Sequence, residues 1–181
     1  LVVQMVGIVS AQMLLNLGDP SEYFLFVVLS VLVSLSFAPI LLSVTPTPAF
    51  ETAKPMSLME VLKISPLGVV GTFWMGGVYS AMFGMAAVFG TQAGLPLGQL
   101  SIFVSAFYVG GLVLQFPIGW ISDRMDRRLL ILILAVICGF AALLGALSGS
   151  VFWVLVTAAF FIGGMANPLY ALLIAYVNDF L

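Results

Sequence analysis

Gly119-Trp120-Ile121-Ser122-Asp123-Arg124-Met125-Asp126-Arg127-Arg128 holds three of the five basic residues in this 181-residue chain. Apolar runs of roughly twenty residues or more flank it, and a helix of that length crosses the ~30 Å hydrocarbon core of a bilayer. The stretch therefore reads as a short polar loop between two membrane-spanning helices. Clustered Lys and Arg stay on the cytoplasmic side, so the loop also orients the chain.

Composition agrees with that reading. The chain is 63% hydrophobic and 7% charged, with a mean hydropathy of +1.27, whereas a soluble domain is about a quarter charged. The fold class is an all-α polytopic membrane protein, since long apolar runs are not the short alternating strands of an outer-membrane barrel. A net charge of −2 without a basic tract gives nucleic acid nothing to bind. With no histidine and one cysteine, Cys138, there is no His-containing metal site, no Ser-His pair and no intramolecular disulfide. No catalytic residue, metal or cofactor is expected, and the chain is not read as an enzyme. Lacking an initiator Met and a basic leader, it reads as a fragment.

Outward from the loop, six apolar segments can be marked, at about 1–17, 23–43, 66–91, 97–121, 129–147 and 151–177. The longest polar interval, 44–65, carries Pro46, Pro48, Pro55, Lys54, Lys63, Glu51 and Glu60. It reads as the inter-domain linker. Within it, Ser57 and Glu60 form a capping box for a short amphipathic helix. An even number of crossings separates this interval from the arginine loop, so all five cations fall on one face. Loops 44–65 and 121–128 are then cytoplasmic.

The loop has the pattern Gly-x-x-x-Asp-Arg-x-Gly-Arg-Arg, with Asp126 in place of the second Gly. It resembles the signature cytoplasmic loop of major facilitator transporters. Gly77-Val78-Tyr79, Gln115-Phe116-Pro117-Ile118-Gly119 and Asn167-Pro168-Leu169-Tyr170 are similar to the YcaD-like subgroup in particular. The resemblance implies six transmembrane helices of a twelve-helix fold, corresponding to helices five to ten. Residues 1–43 are then the last two helices of the N-terminal bundle, 44–65 the central loop, and 66–181 the first four helices of the C-terminal bundle.

It further implies secondary active transport of a small solute by alternating access in the bacterial inner membrane; the sequence leaves the oligomeric state open, with a monomer expected of the full-length protein. In the loop, Gly119, Asp123, Arg124, Arg127 and Arg128 would form a conformational latch. Gly119 allows close packing. Asp123 accepts bonds from the N-terminal amides of a neighbouring helix, here the start of the first segment. The arginines pair with acids or lipid phosphates. Asp126 puts a side chain in the usual glycine position and would alter the turn. The alternative is a plain positive-inside anchor, but Asp-Arg at that spacing exceeds what topology requires.

Candidate cavity residues come from polar stripes. Ser101, Ser105, Tyr108 and Gln115 share one helical face, as do Gln4, Gln12 and Asn16, and each stripe lines a cavity or bonds neighbouring helices. Phe73, Trp74 and Tyr79 are aromatic candidates for a solute wall. Asn167 and Tyr170 flank Pro168, where Gly163, Gly164 and the proline should bend the sixth segment. Gly76, Ser80 and Gly84, and Ala141, Gly145 and Gly149, read as close-packing stripes. No charged residue lies well inside any segment. A proton-coupling carboxylate would therefore lie elsewhere, and the cavity suits an uncharged or amphiphilic solute. The rival reading is a self-contained six-helix channel subunit or membrane scaffold.

Overall fold

Without water in the bilayer core, each apolar run must close its backbone hydrogen bonds internally, which leaves the helix as its only open-chain solution. The computed structural model describes residues 2–14, 16, 18–19, 22–42, 56–149 and 151–180. Among these are α1 (Val2–Leu14), α2 (Phe24–Leu42), α3 (Leu58–Ile64), α4 (Pro66–Ser80), α5 (Ala86–Gln92), α6 (Leu97–Ser122), α7 (Arg127–Leu147) and α8 (Phe152–Asn178). A π turn, Ala81–Met85, joins α4 to α5 in one 27-residue helix. That helix, α6, α7 and α8 are long and apolar enough to cross a membrane. The 13 described residues of α1 rise only about 20 Å. Much of the central interval, with Glu51, Lys54 and its three prolines, lies outside the described residues, as does the side chain of Gln4.

Helix α8 is the hub. It packs on α4, α6 and α7, while α1 lies against α6. Its buried face runs from Leu155 through Ala159, Ala166 and Leu173 to Tyr176. The tightest crossing is with α6, and glycine makes it possible. A Cβ on Gly110 would stand 1.9 Å from the Phe160 carbonyl oxygen, and one on Gly163 would stand 2.0 Å from that of Phe107. The two helices touch backbone to backbone. Gly163 and Gly164 therefore serve packing, and α8 continues unbroken through Pro168 to Asn178, although the proline leaves the Gly164 carbonyl without its helical donor.

The two small-residue stripes differ. On α7, Ala141 is buried and Gly145 approaches the Ala158 Cβ. On α4 and the π turn after it, Gly76 and Gly84 have nothing within 4 Å among the described residues, so the close packing expected there is not made.

Caps and turns follow local chemistry. Ser57 accepts from the Glu60 amide and Glu60 returns the bond to the Ser57 amide, the capping box expected for α3. Gly94 (φ 77°) and Gly149 (φ 64°) take the left-handed conformation that ends α5 and α7. Gly68, just after α3, packs on Val177, and Arg127 pairs with Asp179. Lys63 and the three loop arginines thus sit at one end of the bundle.

Candidate functional site

At that end, Arg124 donates to the Trp120 carbonyl at 3.0 Å and lies 4.0 Å over its ring. Arg127 pairs with Asp179 at the end of α8, and Arg128 lies 5.4 Å over the Tyr176 ring. Asp126 is the N-cap of α7, accepting from the Arg128 amide at 2.7 Å. Its φ of −55° is ordinary for any residue, so the turn does not need glycine here. The expected disturbance becomes a cap. Asp123 is exposed at the C-cap of α6, and its carboxylate has no hydrogen-bond partner among the described residues. Its expected partner, the start of the first segment, lies at their edge. A Cβ on Gly119 would meet no atom within 4 Å, so the close approach expected of it is not made among these residues.

Deeper in the bundle, three helices converge on Asn167. The Tyr79 hydroxyl from α4 reaches Asn167 Oδ1 at 3.2 Å and the Ala166 carbonyl at 3.4 Å. Asn167 Nδ2 donates to the Gly163 carbonyl at 3.1 Å. The same amide occupies the space that a side chain on Gly111 of α6 would fill, 2.3 Å from its Cβ position. Asn167 is a rivet between α4, α6 and α8, with much of its bonding capacity used internally.

Around this rivet the rings form a wall. Tyr79 stacks on Phe83 at 5.5 Å, Phe83 on Tyr108 at 5.9 Å, and Tyr170 meets Tyr79 edge-on at 5.8 Å. Phe83 lies within the π turn, a deformation frequent at functional sites. Gln12 of α1 joins Ser101, Phe83 and Tyr108 around a cavity of about 160 Å³.

Other candidates lie elsewhere. Trp74 faces a separate, almost wholly apolar cleft of about 830 Å³ between the α4–α5 helix and α7, with Arg128 in its lining. Phe73 is 78% exposed on the bundle surface. Gln115 has no side-chain hydrogen bond among the described residues. Ser105 opens toward α1 and α8, away from the wall. The sequence reading missed Phe83 and the Gly110-Gly111 pair. A usable signal for the latter existed: Phe-x-x-Gly-Gly occurs at both 107–111 and 160–164.

The major facilitator superfamily profile matches residues 1–181, the whole chain. The chain belongs to the major facilitator superfamily. With its apolar helices, this makes it an integral membrane protein. Its relatives include the uncharacterized MFS-type transporter YfkF of Bacillus subtilis strain 168, 32% identical over 114 residues, which are 61% of this chain and 28% of the relative. The uncharacterized MFS-type transporter YcaD of Escherichia fergusonii is 24% identical over 128 residues, 70% of this chain and 32% of the relative. The matched stretches thus span about a third or less of these relatives. Both relatives are named as transporters, not enzymes, and membership of this superfamily weighs against a self-contained scaffold. No solved structure matches the chain.

Proposed function

We propose that this chain is part of a secondary transporter of the bacterial inner membrane, which moves a small uncharged or amphiphilic solute by alternating access. The observation that carries this reading is the convergence of α4, α6 and α8 on Asn167, behind the ring wall of Tyr79, Phe83, Tyr108 and Tyr170. Because the Tyr79 hydroxyl is engaged, the wall offers a solute ring faces and the hydroxyls of Tyr108 and Tyr170. Gln12, on the helix assigned to the other bundle, faces Tyr108 across the small cavity. Relative motion of the bundles would open and close that gap.

The latch completes the cycle. Residues 1–43 belong to the N-terminal bundle and 66–181 to the C-terminal one, with 44–65 and 121–128 in the cytoplasm. Asp123, held at the exposed end of α6, engages the N-terminal bundle in one state and releases it in the other. Arg124, Arg127 and Arg128 brace the loop against Trp120, Asp179 and Tyr176. No Asp, Glu, Lys or Arg lies within 66–122 or 129–178, so a proton-coupling carboxylate, where one is used, comes from other helices.

The test is flux of a metabolite panel in cells carrying the full-length gene, then kinetics on the solute found. Asn167→Ala and Tyr170→Ala should raise KM, and Asp123→Asn should slow turnover at unchanged membrane level. Parental kinetics in both wall variants would sink the wall assignment. Labelling from outside intact cells at a cysteine replacing Arg127 would invert the proposed orientation.

A further inference from the structure

We propose that α3 is a membrane-surface helix, seated with one face in the boundary between lipid headgroups and acyl chains. The inference needs the α4–α5 helix to cross a bilayer and does not depend on the transport reading. At about 100° per residue, Leu58, Met59, Val61 and Leu62 share an arc of about 160°, and Glu60 lies diametrically opposite its centre. Lys63 borders the arc, and Ile64, the last residue, falls on the far side. Leu58 is 74% and Met59 62% exposed, and no residue of α3 is buried. A helix of 7 residues is too short to stand alone in water. Its apolar face therefore calls for a partner.

Continuity with the membrane-spanning surface says which one. Helix α3 ends at Ile64 and α4 begins at Pro66. The α4–α5 helix has 27 residues, which rise about 40 Å against a hydrocarbon core of about 30 Å. Centred in the bilayer, it starts about 5 Å outside the hydrocarbon. Amphipathic surface helices sink their apolar faces about 5–10 Å into this zone. The chain also turns here. Ser65 has φ −137° and ψ 76°, and the proline after it disfavours helical backbone at that residue, so α3 does not run on along the α4 axis into water.

The corner is held in place. Ser65 is 2% exposed and its amide donates to the Val61 carbonyl at 2.8 Å. A Cβ on Gly68 would stand 3.0 Å from Ser65 Oγ and 2.1 Å from Val177 Cγ2, so the corner packs on the end of α8. Charge agrees with a lipid partner. Glu60, the one acid of α3, is turned back to the Ser57 amide, while Lys63 has no carboxylate partner among the described residues. Lipid phosphates supply one at this end of the bundle.

Full-length protein in nanodiscs containing an anionic phospholipid tests the seat. In a cysteine-free background, a spin label is placed through Leu58→Cys or, on the opposite face, through Glu60→Cys. Relaxation by oxygen, which partitions into lipid, is compared with relaxation by a nickel chelate, which stays in water. The Leu58 label should favour oxygen and lie about 5–10 Å inside the headgroup boundary, and the Glu60 label should favour nickel. The unmutated protein, photolysed with a phospholipid bearing a diazirine at the top of its acyl chain, should be labelled at Leu58 or Met59 ahead of Glu60. That arm needs no variant to fold. Nickel contact at Leu58 equal to that at Glu60 would put α3 in water, and a Leu58 label shielded from both reagents would bury it against other helices of the protein. Either result, or absence of lipid insertion at α3 in the unmutated protein, would overturn the proposal.

Discussion

Replacing Gly163 with alanine tests the contact on which the bundle is built. The added Cβ would lie 2.0 Å from the Phe107 carbonyl oxygen and 2.5 Å from that residue's carbonyl carbon and Cα. These are backbone atoms of a packed helix, which cannot turn aside as a side chain can. Ordinary contact begins near 3.4 Å, so α6 and α8 must part by about 1.4 Å at their crossing. A gap of roughly 0.5–1 Å already forfeits a quarter to a half of each dispersion well, and overpacking costs about 1–3 kcal/mol. With backbone on both sides, the loss should reach the upper end, about 3 kcal/mol.

Gly110→Ala, 1.9 Å from the Phe160 oxygen, should cost as much. The double variant should cost at least about 1 kcal/mol less than the sum, since helices already parted admit the second methyl. Gly76→Ala and Gly84→Ala, with nothing within 4 Å among the described residues, are the controls. They should be neutral, or stabilising by up to about 1 kcal/mol through helix propensity. The assay is denaturant unfolding of the full-length protein in micelles, followed by tryptophan fluorescence. Gly163→Ala unfolding like its parent, or Gly76→Ala losing as much as Gly163→Ala, would refute the reasoning.

Three further outcomes follow from the site geometry. Asp126→Ala should cost about 1 kcal/mol in the same assay and Asp126→Gly only a few tenths, because glycine is a tolerable N-cap and alanine is not; equal losses would remove the cap assignment. Arg127→Gln and Asp179→Asn should each cost no more than about 1 kcal/mol, since the pair's side chains are 33% and 48% exposed, and their effects should not add. A loss above about 2 kcal/mol from either would mean that other helices bury the pair. Tyr79→Phe should cost about 1 kcal/mol in the parent and less in Asn167→Ala, where the hydroxyl keeps only the longer 3.4 Å contact to the Ala166 carbonyl; additive losses would show that the 3.2 Å bond is not formed.

The limits of the helices could be read from the sequence because length and hydropathy decide whether a segment can cross a bilayer, and polar turns such as Gln92 to Pro96 mark where it cannot. Which face each helix turns inward could not be read in the same way. In water, burial sorts apolar from polar faces, but in lipid both faces of α4 are apolar, and hydrophobicity supplies no drive to hide one of them. Trp74 and Tyr79, five residues apart, therefore look alike in sequence, yet Trp74 lines the apolar cleft while Tyr79 turns to Asn167 of α8. The π turn adds to this, since nothing in Ala81-Met82-Phe83-Gly84-Met85 announces a wider turn, and Phe83 reaches Tyr108 from within it.

What does sort the faces of such helices is how closely two backbones can approach, which depends on paired small residues rather than on one stripe. Gly76 and Gly84 have the spacing but meet nothing among the described residues, while Gly110 and Gly163 each lie against the carbonyl of the phenylalanine three residues before the other. That reciprocal match, Phe-x-x-Gly-Gly against Phe-x-x-Gly-Gly, is a relation between two segments and is invisible to a reading that takes each alone. It also brings Gly111 up to Asn167 and so decides where the ring wall stands. Packing and candidate site were therefore hidden by the same feature, and comparing glycine motifs between segments would have found both.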